Sequence, residues 1–237
     1  MTQESSAART ATHPMLIPAL ERICALAQAR GVSVRPYSVD ALVYFNGFTA
    51  PKQNDILTGL KAYEEILARN PKQAGEKEMV LSALAQFGLK LGDGDFFSIL
   101  AEDDVIEIYT PQGLLLYRNF TAYKYTSYSL LDLIVYEWFE LYERDRQLID
   151  EMLNHTREIL LTGTRTERFR TPPHLIRERH LNCRKVLSGE MKYICPLQDQ
   201  NTGQNTAVII TAVVHGVLLG DAADKIGWMN TSRPATA

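Results

Sequence analysis

Three cysteines in 237 residues are few, and Cys24, Cys183 and Cys195 lie too far apart for the CxxC pairs or Cys/His sets that structural zinc requires. Reduced thiols are expected. A basic block is also missing: 25 Lys and Arg against 28 Asp and Glu leave a formal charge of −3, the wrong balance for a surface that neutralises nucleic-acid phosphates. Nucleic acid is not an expected partner. No apolar run approaches a membrane span of ~20 residues, and residues 1–13 (MTQESSAARTATH) lack the charged start and apolar centre of a secretion signal. A cytoplasmic protein with no membrane partner is expected. With 14 Gly and 10 Pro, collagenous and low-complexity chains are excluded. No GxSxG, HExxH, GxxxxGK or GxGxxG arrangement occurs, so the common nucleophile, metallopeptidase and phosphate-cradling signatures are absent too.

What is present divides by hydrophobic period. Residues 1–13 and 220–237 have the small, polar composition of tails, and residues 14–92 read as an α-helical region. There, Leu16, Leu20, Ile23 and Ala27 recur at helical spacing ahead of Gly31. Ile56, Leu57, Leu60, Tyr63, Ile66 and Leu67 make a second stripe ended by Asn70-Pro71, and Met79, Val80, Ala83, Leu84 and Phe87 make a third. The stretch between the first two stays open between strand and helix. Such stripes must be buried against each other, a following domain or a second copy of the chain. The run around Gly92 to Asp95 reads as a break, and Asp93, Asp95, Glu102, Asp103 and Asp104 as solvated linker without the ligand order of a calcium loop.

Beyond that break the period shortens to two. Residues 105–109 and 114–119 form a hairpin about Gly113, and a helical block opens at Ser129, where Ser-Leu-Leu-Asp is a capping-box variant. A long helix spans 145–161, with Leu148, Met152 and Ile159 on its apolar face. Strands are expected at 164–169, 181–186, 191–197 and 206–214, with turns at 171–173, 188–189 and 199–203.

The stretch DDVIEIYTPQGLLLYRNFTAYKYTSYSLLDLI, with Gly113, Asn119, Tyr128-Ser129 and Leu133, followed by WFELYERD, LLTGT and CPLQDQNTGQNTAVIITAVV, resembles the PAS domain family over about residues 100–215, within a domain expected at 100–219. The resemblance implies an α+β fold in which a five-stranded antiparallel sheet carries helices over one face, and a sensory or regulatory function exercised by binding a small ligand or by pairing domains. Ligand-pocket candidates between sheet and long helix are Tyr117, Trp138, Met152, Ile159, Tyr193 and Ile209, and their apolar and aromatic character suits a small, mostly apolar ligand. The resemblance also raises two cofactors. His155 lies on the helix from which haem-binding members present an axial imidazole, but a surface or partly buried histidine is the preferred reading. Asn182-Cys183-Arg184 superficially resembles the flavin-adduct motif of light-sensing members, yet it follows the long helix instead of preceding it, and a flavin is not expected. The cofactor therefore stays unknown.

One local basic stretch, TRTERFRTPPHLIRERH, brings His174, Arg177, Arg179 and His180 together downstream of Arg165, Arg168 and Arg170. It reads as solvated strand and loop, or as contact for an acidic partner. Neither His13 nor His215 has a recognisable nucleophile partner. The expected function is thus non-catalytic: a regulatory module without an effector domain of its own, acting as a homodimer or through a protein signalling partner. An enzyme on an α+β scaffold and a ligand-free dimer adaptor are the alternatives.

Overall fold

A computed structural model describes residues 13–92, 94–162, 169–179 and 185–219. In chain order its helices are α1 (Leu16–Gln28), α2 (Val39–Asn46), α3 (Ala50–Arg69), α4 (Glu76–Gln86), α5 (Thr121–Tyr125), α6 (Asp132–Val135), α7 (Trp138–Leu141) and α8 (Arg146–Thr162). The strands are β1 (Leu89–Leu91), β2 (Val105–Tyr109), β3 (Leu115–Arg118), β4 (Tyr142–Glu143), β5 (His174–Glu178), β6 (Lys185–Asp199) and β7 (Asn205–Leu219). The chain divides into two compact units, Met1–Phe87 with Tyr128–Tyr136 and Gly88–Ser127 with Glu137–Ala237.

In the helical unit the expected stripes are the buried ones: Leu16, Leu20 and Ile23 of α1, Ile56, Leu60, Ile66 and Leu67 of α3, and Val80 and Ala83 of α4 are all at most 2% exposed. Burial of each large aliphatic side chain contributes about 1.5–3 kcal/mol. Gly31 closes α1 with φ +80°, a conformation that a side chain would strain. Arg30 then donates to the carbonyls of Leu67 (2.6 Å) and Asn70 (2.8 Å), satisfying backbone oxygens at the end of α3. The stretch left open by the sequence forms α2, whose N-cap Ser38 accepts from Ala41 N at 3.1 Å.

The helical block expected from Ser129 is corrected to two one-turn helices, because each turn carries its own reciprocal cap. Ser129 N donates to Asp132 Oδ2 (2.8 Å) and Asp132 N to Ser129 Oγ (3.2 Å), while Glu137 and Glu140 repeat the arrangement for α7. Leu130 N and Leu131 N donate to the carbonyls of Arg35 and Pro36. These backbone bonds, with the buried side chains of Leu130, Leu131, Leu133 and Val135, tie residues 128–136 into the helical unit.

The second unit is an antiparallel sheet ordered β3-β2-β7-β6-β5-β4, with β1 added on β6. It has seven strands among the described residues, not five. Three short strands are unexpected: the residues just before the supposed break at 92–95 form β1, which pairs with the end of β6, the basic stretch contributes β5, which pairs with the start of β6, and β4, between α7 and α8, pairs with β5. Ser188-Gly189 is not a turn but an interior bulge of β6, a strand of 15 residues. Glycine serves there because a Cβ at position 189 would sit 2.8 Å from the carbonyl oxygen of Val213. The hairpin about Gly113 and the 199–203 turn are as expected. The strand expected at 164–169 lies outside the described residues except at Phe169, and the Asn182-Cys183-Arg184 motif, His180 and Asp93 lie outside them altogether. No helix among the described residues is long and apolar enough to cross a membrane.

Candidate functional site

Strand pairing assigns each side chain a face, since directly paired residues share one. Ile209 pairs with Ile108 and Cys195, and Ile108 with Tyr117; Tyr193 pairs with Thr211, the partner of Ile106. Tyr117, Tyr193 and Ile209 therefore share one face, where Phe96 packs on Tyr193 with ring centroids 6.1 Å apart. Met152 and Ile159 instead cover the other face, in a core with Tyr109, Leu148, Met191, Ile194 and Val208, against which Trp138 packs. The six pocket candidates thus separate into two sets of three on opposite faces, and only Trp138, Met152 and Ile159 can border a ligand beneath α8.

That same face holds a buried polar cluster. Arg118 and Glu107 are directly opposed on β3 and β2, and Arg118 Nε donates to Glu107 Oε1 at 2.6 Å. Tyr109, two residues along the same face, donates its hydroxyl to Glu107 Oε2 at 2.8 Å. Both carboxylate oxygens are thereby committed. Burial opposes the Arg118 charge, but Glu107 and the phenols of Tyr109, Tyr142 and Tyr123 outweigh it and hold the pKa above the ordinary arginine value. Burial pushes the Tyr142 phenol up to about 12, with Arg118 pulling the other way.

From Tyr142 the network continues to a second buried acid. The Tyr142 hydroxyl donates to Thr126 Oγ1 (3.1 Å), and Thr126 in turn donates to Glu178 Oε1 (3.1 Å). Glu178 also accepts from Ser127 N (2.6 Å) and Lys185 N (3.0 Å). It is fully buried although it lies within the charged stretch read from the sequence as solvated.

Arg144 stands at the edge of this cluster, immediately before α8. Its guanidinium carbon lies 5.3 Å from the centroid of the Trp138 ring, and Nη1 approaches Met152 Sδ at 3.9 Å. Its Nε is sealed from solvent without an acceptor among the described residues. Burial lowers its pKa against the pull of Glu107 and the nearby phenols. Trp138, Tyr142 and Arg144 are half-buried, whereas Arg118 is buried, so the polar cluster runs from the core toward the surface.

His155 stacks on Phe169, with ring centroids 4.4 Å apart and planes 24° from parallel, and is half-buried. Burial lowers its pKa. No group of three or more His, Cys, Asp or Glu among the described residues is arranged to hold a metal ion. Cys195 is buried, and Cys24, half-buried, has its thiol pushed up to about 11 by burial and Glu21. Asp104, expected in solvated linker, is fully buried and paired with Lys192 at 2.7 Å, a correction with a structural purpose: it also accepts from Ala101 N and so fixes the entry to β2.

Sequence reasoning missed Glu107, Tyr109, Arg118 and Arg144. For the first three a signal existed. A hairpin turning at Gly113 brings 107 opposite 118, and a matched acid and base at an inward position of paired strands is a buried pair in waiting.

Together these elements define an α+β protein with an antiparallel sheet, one face of which is covered by α8. The chain matches no protein-family model and no curated sequence. Among solved structures it is similar to a sensory box sensor histidine kinase from Vibrio cholerae, with 12% identity, a TM-score of 0.33, and 59% of this chain and 97% of that chain covered.

Proposed function

We propose that the protein is a sensory or regulatory module that binds a small ligand on the α8-covered face of its sheet and transmits occupancy through association with a second copy or a signalling partner, not through catalysis. The observation that carries the reading is the cluster of Glu107, Tyr109, Arg118, Tyr142 and Arg144 set beside Trp138 and Met152. Interiors of this kind are costly to build, because each buried charge loses hydration and is repaid only by well-made partners. Placing two arginines and several phenols beside an apolar wall offers a few oriented polar groups on an otherwise apolar surface, the usual composition of a small-molecule site.

Native mass spectrometry of the purified full chain tests this, followed by thermal-shift measurements against a small-molecule library. A co-purifying or stabilising compound whose effect is lost in Trp138→Ala supports the proposal. A chain that binds nothing, or one that turns over a substrate, sinks it.

A further inference from the structure

We infer that the ligand is a small organic carboxylate, held by the Arg144 guanidinium with its apolar body against Trp138 and Met152; the inference rests on reading the α8-covered face as a ligand site. Glu107 spends one oxygen on Arg118 and the other on Tyr109. Glu178 spends its oxygens on Thr126, Ser127 and Lys185, and Asp145 Oδ1 caps α8 through Leu148 N. These three acids are thus engaged elsewhere, and among the described residues Arg144 meets a thioether and the face of an indole. An arginine stays protonated in proteins, so burial cannot discharge it as it would a lysine. A guanidinium with no oxygen acceptor among the described residues, and with its Nε sealed from water, carries a cost that the Trp138 ring and the more distant Glu107 offset only in part.

A carboxylate removes that cost. Its two oxygens match the guanidinium fork, and the Trp138 ring beneath the cation braces it from the other side. The apolar neighbours Trp138, Met152 and Leu148 favour a ligand with an apolar body over a bare inorganic anion.

The test is calorimetric titration and thermal shift of the full chain with a series from acetate to hexanoate and benzoate, the corresponding neutral amides, and inorganic phosphate. Variants Arg144→Met and Arg144→Lys are run alongside. Saturable stabilisation is expected from the longer carboxylates but not from the amides. Arg144→Met is expected to weaken carboxylate binding by about tenfold or more while leaving the ligand-free protein at least as heat-stable, because an unpaired cation has been replaced by an apolar chain of similar length. Arg144→Lys keeps the charge without the fork and is expected to bind at an intermediate level, which guards against a folding defect in the methionine variant. Should amides bind as well as carboxylates, or Arg144→Met bind carboxylates undiminished, the anion inference fails while the small-ligand reading stands. Phosphate binding in preference to every carboxylate also overturns it. If neither amides nor anions bind, the carboxylate inference falls, and a negative result from native mass spectrometry and the library screen as well takes the small-ligand reading with it.

Discussion

Single buried residues do much of the work of fixing this sheet. Asn119, 1% exposed, accepts from Ile106 N (3.0 Å) through Oδ1 and donates to Asp104 O (2.8 Å) through Nδ2, clipping the end of β3 to the start of β2. Asn119→Ala would strand a buried donor and a buried acceptor together. Its expected cost is about 2–3 kcal/mol, read as a lower urea midpoint with an unchanged denaturant slope. Histidines contribute a pH dependence at the same scale. Burial lowers the pKa values of both His155 and His174 below the ordinary 6.5. For His174, Arg144 acts in the same direction, while the Pro172 carbonyl, Asp145 and Glu190 oppose it. Between each lowered value and 6.5 the unfolded chain carries more protons than the folded one, so stability rises with pH through that window and is lost as pH falls. Replacing both histidines with Gln is expected to flatten the fall in Tm below pH 6.5. An unchanged slope would mean that the two imidazoles charge as readily in the fold as outside it.

Among the elements, strand continuity is where structure and sequence part most sharply. Helices α1, α3, α4 and α8 were legible because each carries a long stripe of period 3.6 with recognisable stops. Strand β6 was not, because a glycine inside a strand looks the same in sequence as a glycine in a turn. A bulge of β6 also explains why the pocket candidate Tyr193 lies on the face away from α8. Met191 and Tyr193 are two apart and should share a face, but the register shifts between them, leaving Met191 under α8 and Tyr193 opposite Thr211 on the far side. Alternation alone cannot reveal such a slip. Arg144 was equally hidden, since what distinguishes it is the lack of an acid in space. Substitution can measure the Gly189 bulge. Gly189→Ala drives a methyl toward the Val213 carbonyl at 2.8 Å and is expected to cost about 1–3 kcal/mol. Gly216→Ala on the paired strand meets nothing within 4 Å and should be close to neutral, and equal effects in the two variants would show that the bulge has no steric requirement for glycine.

For the whole molecule, the consequential feature is that sequence order and compact units do not coincide. Residues 128–136 leave the sheet unit's portion of the chain and belong to the helical unit, where Leu130 N and Leu131 N are bonded to Arg35 O and Pro36 O at 2.8 and 3.1 Å. Ser38 adds a side-chain tie, donating from Oγ to Asp132 Oδ1 at 2.6 Å, and Tyr44 stacks on Tyr136 with ring centroids 4.5 Å apart. Cutting the chain after Phe87 would therefore not release a self-sufficient sheet unit. The fragment would keep the excursion but lose its partners, exposing Leu130, Leu131, Leu133 and Val135, which are at most 7% exposed in the intact chain, along with backbone donors that had acceptors. A fragment beginning at Gly88 is expected to aggregate in size-exclusion chromatography. Adding residues 14–87 as a separate polypeptide should restore solubility by recreating the helical unit around the excursion. Replacing Leu130, Leu131, Leu133 and Val135 with polar residues should rescue the fragment by a different route, since it removes the need for partners. If the unmodified fragment is monomeric and cooperatively folded, the excursion contributes nothing essential, and the helical unit is dispensable for the sheet that carries the candidate site.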